Sequence, residues 1–495
     1  MARYGDSESV PALTVMGESQ EADVDHRPNV LIVMSDDQGP WAMGCAGTPE
    51  LETPTLDRLA AEGTRFDNCF CASPVCSPAR ATFLTGRMPS QHGVHDWIKS
   101  GNIDVDEGVT WCGKDRAITY LDGLTGFTDA LSANGYVCGL SGKWHLGASA
   151  TPQMGHSYWC AHSLGGDSYT DYYVFDNSPV LARQDTYVTD LFTERALEFL
   201  ERHGAGPEPF CLSVHYTAPH APWRREEQPA AIWDRYNGKE FRSLPVVPPH
   251  PWRGWDPTPE KRHETIAGYF TTITAMDAGI GRILDKLDAL EVADQTLVIF
   301  TSDNGYNMGH HGVHGKGNGT FPMNMYEESV KVPFIARRPG SVPAGVVNTD
   351  LVSHYDFMPT ILDYAGVEHP VRRDLPGRSF SGILRGTTGG HEAIVVCDEY
   401  GPVRMVREKA WKYVHRYPYG PHELYHLDTD PGEETNLVDD PACLDTVCRL
   451  RLHLEDWFLR YVDPSRDGSR LGVTGKGQID RVGPEGAGHV PFEKG

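Results

Sequence analysis

Positive charge is scarce in this chain of 495 residues: 44 Lys and Arg face 68 Asp and Glu, a formal net charge of −24. A surface of that sign repels nucleic acid and, at a distance, long polyanions, so no nucleic-acid partner is expected and a small anion is the better guest. Long apolar runs are missing too. No stretch reaches about 18 unbroken apolar residues, so no membrane-spanning helix is expected. The 11 cysteines are too sparse and irregular for a disulfide framework. Cys69, Cys71 and Cys76 lie close together, but no second Cys or His pair completes a zinc spacing. Cys443 and Cys448 fall in an expected C-terminal helix, and most of the cysteines are expected to be small buried side chains. Residues 1–27 lack the basic-then-apolar pattern of an export signal. They are expected to form a flexible leader, and the protein is expected in the cytoplasm. No repeat or low-complexity tract is evident.

What is present is an alternation of strand and helix patterns. Hydrophobic content is 39%, enough for a sizeable core, and the length predicts one large domain plus a smaller one. Asn29–Ser35 is a nearly continuous apolar run, as in a strand buried on both faces. Helices are predicted from Thr53 to Gly63, Phe127 to Asn134, Tyr187 to Arg202 and Thr265 to Leu290; strands are predicted at Tyr136–Ser141, Phe210–Tyr216 and Thr296–Ser302. The fold class is therefore α/β, a large mostly parallel sheet sandwiched by helices, over residues 28–390. Residues 391–465 change to short strands followed by a helix at Leu444–Tyr461, a small antiparallel sheet with a packed helix. Residues 466–495 form a Gly-rich irregular tail expected to wrap the body or a neighbouring subunit. Trp97–Leu121 and Pro219–Pro259 read as long functional loops.

The densest chemistry lies in Cys76-Ser77-Pro78-Ala79-Arg80, which continues through Leu84-Thr85-Gly86-Arg87. Ser77 suits an N-cap, Pro78 the first helical position and Gly86 the helix exit. Cys76 is thus expected beside a helix N-terminus, whose free N–H groups attract an anion. Arg80, four residues on, can fold back toward the same anion. In open parallel sheets ligands bind beyond the carboxyl ends of the strands. There the first strand runs into Asp36-Asp37 and the strand at Thr296–Ser302 runs into Asp303-Asn304. Three carboxylates and a side-chain carbonyl make a hard oxygen site suited to calcium or magnesium. Two further strands end in Gly142-Lys143-Trp144-His145 and in Pro219-His220-Ala221-Pro222; Lys316 follows His311 and His314 in a glycine-rich loop.

This set of motifs, in this order from about Asn29 to about Leu437, resembles the type I sulfatases of the alkaline phosphatase superfamily, and is arylsulfatase-like. The resemblance implies an alkaline phosphatase-like fold and hydrolysis of a sulfate ester. It implies that Cys76 is oxidised to formylglycine after a transient encounter with a formylglycine-generating enzyme, which reads Cys76, Pro78 and Arg80. By the same resemblance Asp36, Asp37, Asp303 and Asn304, with the modified Cys76, hold Ca2+ or Mg2+. Lys143, His220 and Lys316 hold the sulfate, and His145 contacts formylglycine. The hydrated aldehyde attacks sulfur in line, His220 or Lys316 protonates the leaving oxygen, and His145 takes the proton that lets the aldehyde reform. His92, Asp96, His311 and His314 are candidate substrate contacts. Glu327 and the turn around Glu433 are expected to be structural.

The substrate is expected to be a small carbohydrate or aryl sulfate, with choline and alkyl sulfates as the alternatives. Its leaving group is expected to bind among the irregular segments His92–Trp97, Trp159–Tyr173, Pro219–Trp255 and Tyr400–Arg404, where aromatics are frequent. Two alternatives stand beside this reading: a phosphonate monoester or phosphodiester hydrolase of the same superfamily, and a non-catalytic sulfate-binding protein. Some relatives of the first kind carry an uncharged side chain in place of one paired lysine, so Lys143 and Lys316 together favour sulfate. The sequence leaves open whether the chain forms a homo-oligomer.

Overall fold

A computed structural model describes residues 27–99, 101, 103, 116–255, 257–370, 374–398, 402–486 and 488–494. The expected leader, apart from Arg27, lies outside the described residues. The main sheet is built from β1 (Asn29–Ser35), β2 (Thr64–Phe70), β3 (Val137–Gly142), β4 (Tyr158–His162), β5 (Tyr172–Asp176), β6 (Leu181–Gln184), β7 (Phe210–His215) and β8 (Thr296–Ser302). A two-stranded hairpin, β9 (Asn307–Met308) and β10 (His314–Gly315), follows. The sheet is completed by β11 (Lys331–Arg337), β12 (Val346–Asn348) and β13 (Val352–Ser353). Its order is β12-β2-β11-β8-β1-β7-β3-β4-β5-β6, with β13 beside β2. The five central strands β8-β1-β7-β3-β4 are all parallel, while β11, β5 and β6 run antiparallel to their neighbours. The sheet is thus large, mostly parallel and covered by helices, as the sequence predicts.

Burial explains the apolar strands. Every residue of β1, β7 and β8 is buried. Successive β1 side chains point to opposite faces. Val30, Ile32 and Met34 enter one core, with Phe83 and Phe127; Leu31 and Val33 enter the other, with Phe199 and Ile280. Pro333, unexpected inside a strand, sits where the β11 register shifts between Val332 and Phe334, so its missing N–H breaks no regular ladder.

Two expectations change here. Trp159–Tyr173 is not irregular throughout: it spans β4 and the start of β5, and Trp159, Tyr169 and Tyr172 are buried core residues rather than lining for a leaving group. Tyr-Trp-Cys-Ala-His shows no alternation because both faces of β4 are covered. Pro219–Pro259 contains a short helix, Ala230–Tyr236, and the long helix begins at Pro259 rather than Thr265. Its start is set by Thr258, whose side chain accepts the Lys261 N–H, and by Pro259 in the first turn.

The C-terminal strands β14 (Ala393–Asp398), β15 (Val403–Glu408), β16 (Trp411–Arg416) and β17 (Glu423–His426) form an antiparallel sheet in chain order. The helix Leu444–Tyr461 packs on it through Leu450, Leu454 and Phe458. A buried ion network ties this sheet to the body. Lys412, fully buried, lies 2.6 Å from Glu433 and 3.2 Å from Glu327, which also meets Arg407 at 3.4 Å. Removing one member of such a network strands a buried charge, so Lys412→Met is expected to cost about 3–5 kcal/mol in urea unfolding. A loss under about 1 kcal/mol would contradict this account of the two glutamates. The tail wraps this same chain. Buried Gln478 accepts the His95 N–H at 2.9 Å and donates to the Gly93 carbonyl at 2.9 Å.

Candidate active site

The cluster forms because β1 and β8 are adjacent and in register at their ends, Ser35 opposite Ser302. The next residues of each strand therefore emerge side by side. Asp36, Asp37, Cys76 and Asp303 each bring a ligand atom within 4.8 Å of all the others, and all four are buried. Like charges this close need a counter-charge. Three cations supply it: Lys143 Nζ bonds Asp36, Lys316 Nζ lies 2.6 Å from Asp37 Oδ1, and Arg80 Nε lies 3.0 Å from Asp303 Oδ2. Three carboxylates against three cations leave the cluster formally neutral.

The helix that carries Cys76 spans Cys76–Thr85, and all of its residues are buried. It starts two positions earlier than expected: Val75, not Ser77, is the N-cap. The Ser77 hydroxyl is used elsewhere, donating to the His145 carbonyl at 2.9 Å and accepting the Ile98 N–H at 3.1 Å. Gly86 ends the helix with φ +65°, as the sequence predicts. Cys76 thus stands in the first turn. Its Sγ lies 3.4 Å from Asp36 Oδ1 and 2.8 Å from Lys316 Nζ. Burial, then Asp36, push the thiol above its ordinary pKa, so as a thiol it is a poor nucleophile.

Asp37 has φ +67°, a left-handed conformation costly for a non-glycine residue. It is held on both sides. Its N–H donates to Asp303 Oδ1 at 3.1 Å, and its carbonyl accepts the Tyr269 hydroxyl at 2.9 Å. Burial, then Asp303, raise the Asp36 carboxyl above the usual range. For Asp303 burial acts the same way, but Arg80, Lys143 and Lys316 outweigh it and its pKa is lowered. Asn304 Nδ2 donates to Asp37 Oδ1 and to the Gly305 carbonyl, at 2.8 and 2.9 Å. Its Oδ1 is buried without a hydrogen-bond partner.

Two histidines flank the cluster with defined tautomers. His145 Nε2 donates to the Ile98 carbonyl at 3.0 Å, which leaves Nδ1 as the lone-pair atom, buried and unpartnered. Burial, then the Lys143 and Arg80 charges, hold its pKa well below the usual value, so the ring is neutral. His220 Nδ1 donates to the Ala221 carbonyl at 2.5 Å, so Nε2, 3.8 Å from Asp37 Oδ2, faces the cluster. Its side chain is 31% exposed, at the mouth. The β4–β5 connection roofs both rings, which no sequence motif announced. A Cβ on Gly165 would fall 2.2 Å from His145 Nε2, and one on Gly166 would fall 3.1 Å from His220 Nδ1. Gly165→Ala is therefore expected to displace the His145 ring and lower kcat about 100-fold with little change in melting temperature. Unchanged kcat would show that the ring needs no such roof.

The other candidate contacts divide. His314 lines a cavity of about 330 Å³ that reaches Asp37 and Lys316. His311 turns away: it stacks on Tyr326 at 3.7 Å and bonds Glu328 at 2.8 Å. His92 and Asp96 are buried, and their polar atoms hold neighbouring segments. His92 meets Thr82 and the Val94 N–H; Asp96 accepts the Trp97 and Gly477 N–H groups. The substrate contacts expected of His92, Asp96 and His311 are corrected accordingly, because these groups are engaged by the protein itself.

Carboxylates, cations and histidines beyond the ends of a parallel sheet define a hydrolase of anionic esters in the alkaline phosphatase superfamily. Within it, the chain belongs to the sulfatase family: the sulfatase family model matches residues 28–367. A second model, N-sulphoglucosamine sulphohydrolase, C-terminal, matches residues 317–458. The chain is 27% identical to an N-acetylglucosamine-6-O-sulfatase of Bacteroides thetaiotaomicron, covering 89% of this chain and 88% of that one. It is 27% identical to a choline-sulfatase of Rhizobium meliloti over 84% and 83% of the two chains. It is similar in fold to a protein solved with its substrate D-glucosamine-2-N,6-O-disulfate, with TM-score 0.73, 24% identity and coverage of 90% and 100%. The phosphonate monoester hydrolase of Agrobacterium radiobacter shares the fold at TM-score 0.68 and 21% identity, over 88% and 96%. The protein is a sulfuric ester hydrolase.

Proposed function

We propose that the protein releases sulfate from a carbohydrate sulfate, using formylglycine made from Cys76 and a divalent cation held by Asp36, Asp37, Asp303 and Asn304. The observation that carries this reading is the cluster itself. It is a set of hard oxygens with an orphan buried carbonyl, Asn304 Oδ1, and it closes on the Cys76 side chain. The residues fit calcium or magnesium, which take oxygen ligands of this kind. A divalent ion added to a formally neutral cluster leaves a double positive charge, which attracts the monoanionic sulfate ester and offsets the negative charge that develops as its S–O bond breaks. When present, the cation and the hydrated aldehyde supply an acidified hydroxyl for attack on sulfur.

The chain's own groups do the rest. Arg80, in the first helix turns after Cys76, fixes Asp303 and adds positive charge beneath the reacting atoms. Lys143 and Lys316, fixed by Asp36 and Asp37, stabilise charge on the sulfuryl oxygens. His220, at the mouth, acts as the acid in its doubly protonated form: Nδ1–H stays on the Ala221 carbonyl and the Nε2 proton passes to the departing oxygen. His145 Nδ1, neutral and unpartnered, accepts a proton in the return half of the cycle. The sugar-sulfate specificity of several relatives supports the substrate class, and the pair of lysines favours sulfate over phosphate diesters.

Release of inorganic sulfate from a panel of sulfated sugars, measured beside a phosphate diester with a matched leaving group, tests the proposal. His220→Ala separates its role. Turnover of sugar sulfates, whose alcohols leave poorly, is expected to fall about 10²–10⁴-fold. Hydrolysis of 4-nitrophenyl sulfate, whose phenol needs little protonation, is expected to fall much less. Equal losses on both would exclude His220 as the acid.

A further inference from the structure

We infer, resting on the sulfate-ester reading above, that His215 is a positioning residue of the reaction: its ring sets the place of the Lys143 backbone, and through it of Arg80. The residue stands where three strands end together. In the order β1-β7-β3, His215 closes β7, opposite Met34 of β1 and Gly142 of β3. Asp36 follows two residues after Met34, and Lys143 directly after Gly142. His215 is only 3% exposed, so it acts through these neighbours and not on the substrate.

One residue holds both polar groups of the Lys143 backbone. The His215 carbonyl accepts the Lys143 N–H at 2.7 Å, which carries the β3–β7 ladder one rung further. β7 ends there, and the ring supplies the next donor: His215 Nδ1 donates to the Lys143 carbonyl at 3.3 Å. A carbonyl only accepts, so the proton is on Nδ1. The same carbonyl accepts Arg80 Nη1 at 3.1 Å, and Arg80 Nε reaches Asp303 at 3.0 Å. The Lys143 carbonyl is thus the joint between the end of β3, the helix of Cys76 and the strand end at Asp303. The fit is close. A Cβ on Gly142, φ +129°, would fall 1.9 Å from the His215 carbonyl oxygen, so the end of β3 can lie here only as glycine.

The ring contributes an N–H and no charge. Burial, then the Arg80 charge, hold its pKa well below the usual value, so it is neutral. Its Nε2 is buried without a hydrogen-bond partner. A side chain needed only for packing would be better apolar, with no orphan nitrogen to bury. What the position gains from histidine is the Nδ1–H. That donor matters because Lys143 is fully buried and its Nζ bonds Asp36. A long, flexible side chain brings its charge to a fixed point only if its backbone is fixed as well.

The test compares His215→Asn, whose amide N–H takes the place of Nδ1–H, with His215→Leu, which has the same branching and no donor. Kinetics on the sulfate ester that wild-type protein turns over fastest, and melting temperatures, are measured for both. In His215→Leu, kcat is expected to fall about 10- to 100-fold with KM within about threefold, because displaced Lys143 and Arg80 lose more of the transition state than of the bound ester. In His215→Asn, kcat is expected to stay within about fivefold of wild type, although the protein melts no higher than His215→Leu. His215→Gln, whose amide stands at the Nε2 position, is expected to lose kcat as His215→Leu does, and replaces it in the comparison should the leucine variant not fold. Equal kcat with and without the donor, a change confined to KM, or losses that follow melting temperature would overturn the inference and leave the sulfatase reading standing. Wild-type protein that releases sulfate from no ester would contradict that reading and remove the inference with it.

Discussion

Cys76→Ala is expected to lower sulfate-ester turnover by about 10⁴-fold or more while the protein stays folded. The reasoning is chemical. Position 76 supplies the attacking atom, and the surrounding charges stabilise a reaction that no longer has a nucleophile; loss of the nucleophile is among the largest single-residue effects in such sites. The structural cost is small. Lys316 keeps its 2.6 Å contact to Asp37, the helix keeps its N-cap at Val75, and the deleted sulfur leaves a cavity worth about 1 kcal/mol. Cys76→Ser is expected to be equally inactive, because a single hydroxyl cannot expel sulfate and regenerate itself as the hydrate does. Retention of a tenth of wild-type activity by either variant would remove position 76 from the chemistry.

The second large effect is removal of the cation. Chelation is expected to abolish turnover, and calcium or magnesium to restore it, with calorimetry showing about one ion per chain. Binding to the native state alone also stabilises it, by about 2.7 kcal/mol at a hundredfold excess over Kd. Asp303→Asn is expected to lose the ion and at least about 10³-fold in turnover. It also takes from buried Arg80 the carboxylate that lies 3.0 Å away, so unfolding should become easier by a few kcal/mol, about 3–5 at most. Asn304→Ala makes the cleaner control. It removes the orphan Oδ1 without stranding a charge, so it should weaken ion affinity more than stability. Undiminished ion binding in both variants would place the cation elsewhere.

The strand ends were legible in the sequence because a polar pair directly after a doubly buried apolar run marks the point where a strand leaves the core. Asp36-Asp37 and Asp303-Asn304 are such pairs. Their meeting depends on the pairing of β1 with β8, which joins residues far apart in the chain and leaves no local signal. The partners within the cluster were hidden for the same reason: nothing in the order of residues says that Lys143 takes Asp36 while Lys316 takes Asp37. Ser77 shows a different limit. Its type suits a cap, yet tertiary contacts with His145 and Ile98 take its hydroxyl, and the helix begins at Cys76. His311 and His314 look alike in the sequence; a left-handed turn at His311, φ +54°, sends one ring to Tyr326 while the other lines the cavity. Gly165 and Gly166 carry no signal in the sequence, because glycine in a loop usually serves a turn. Here its missing side chain makes room for two imidazoles.

Mass spectrometry of the tryptic peptide Phe66–Arg80 from active protein tests the central claim most directly, because it examines the atom at position 76. Formylglycine should appear as a loss of about 18 Da relative to cysteine, in a fraction that tracks specific activity across preparations. A peptide found wholly as the thiol, in protein that hydrolyses sulfate esters at full rate, would contradict the account.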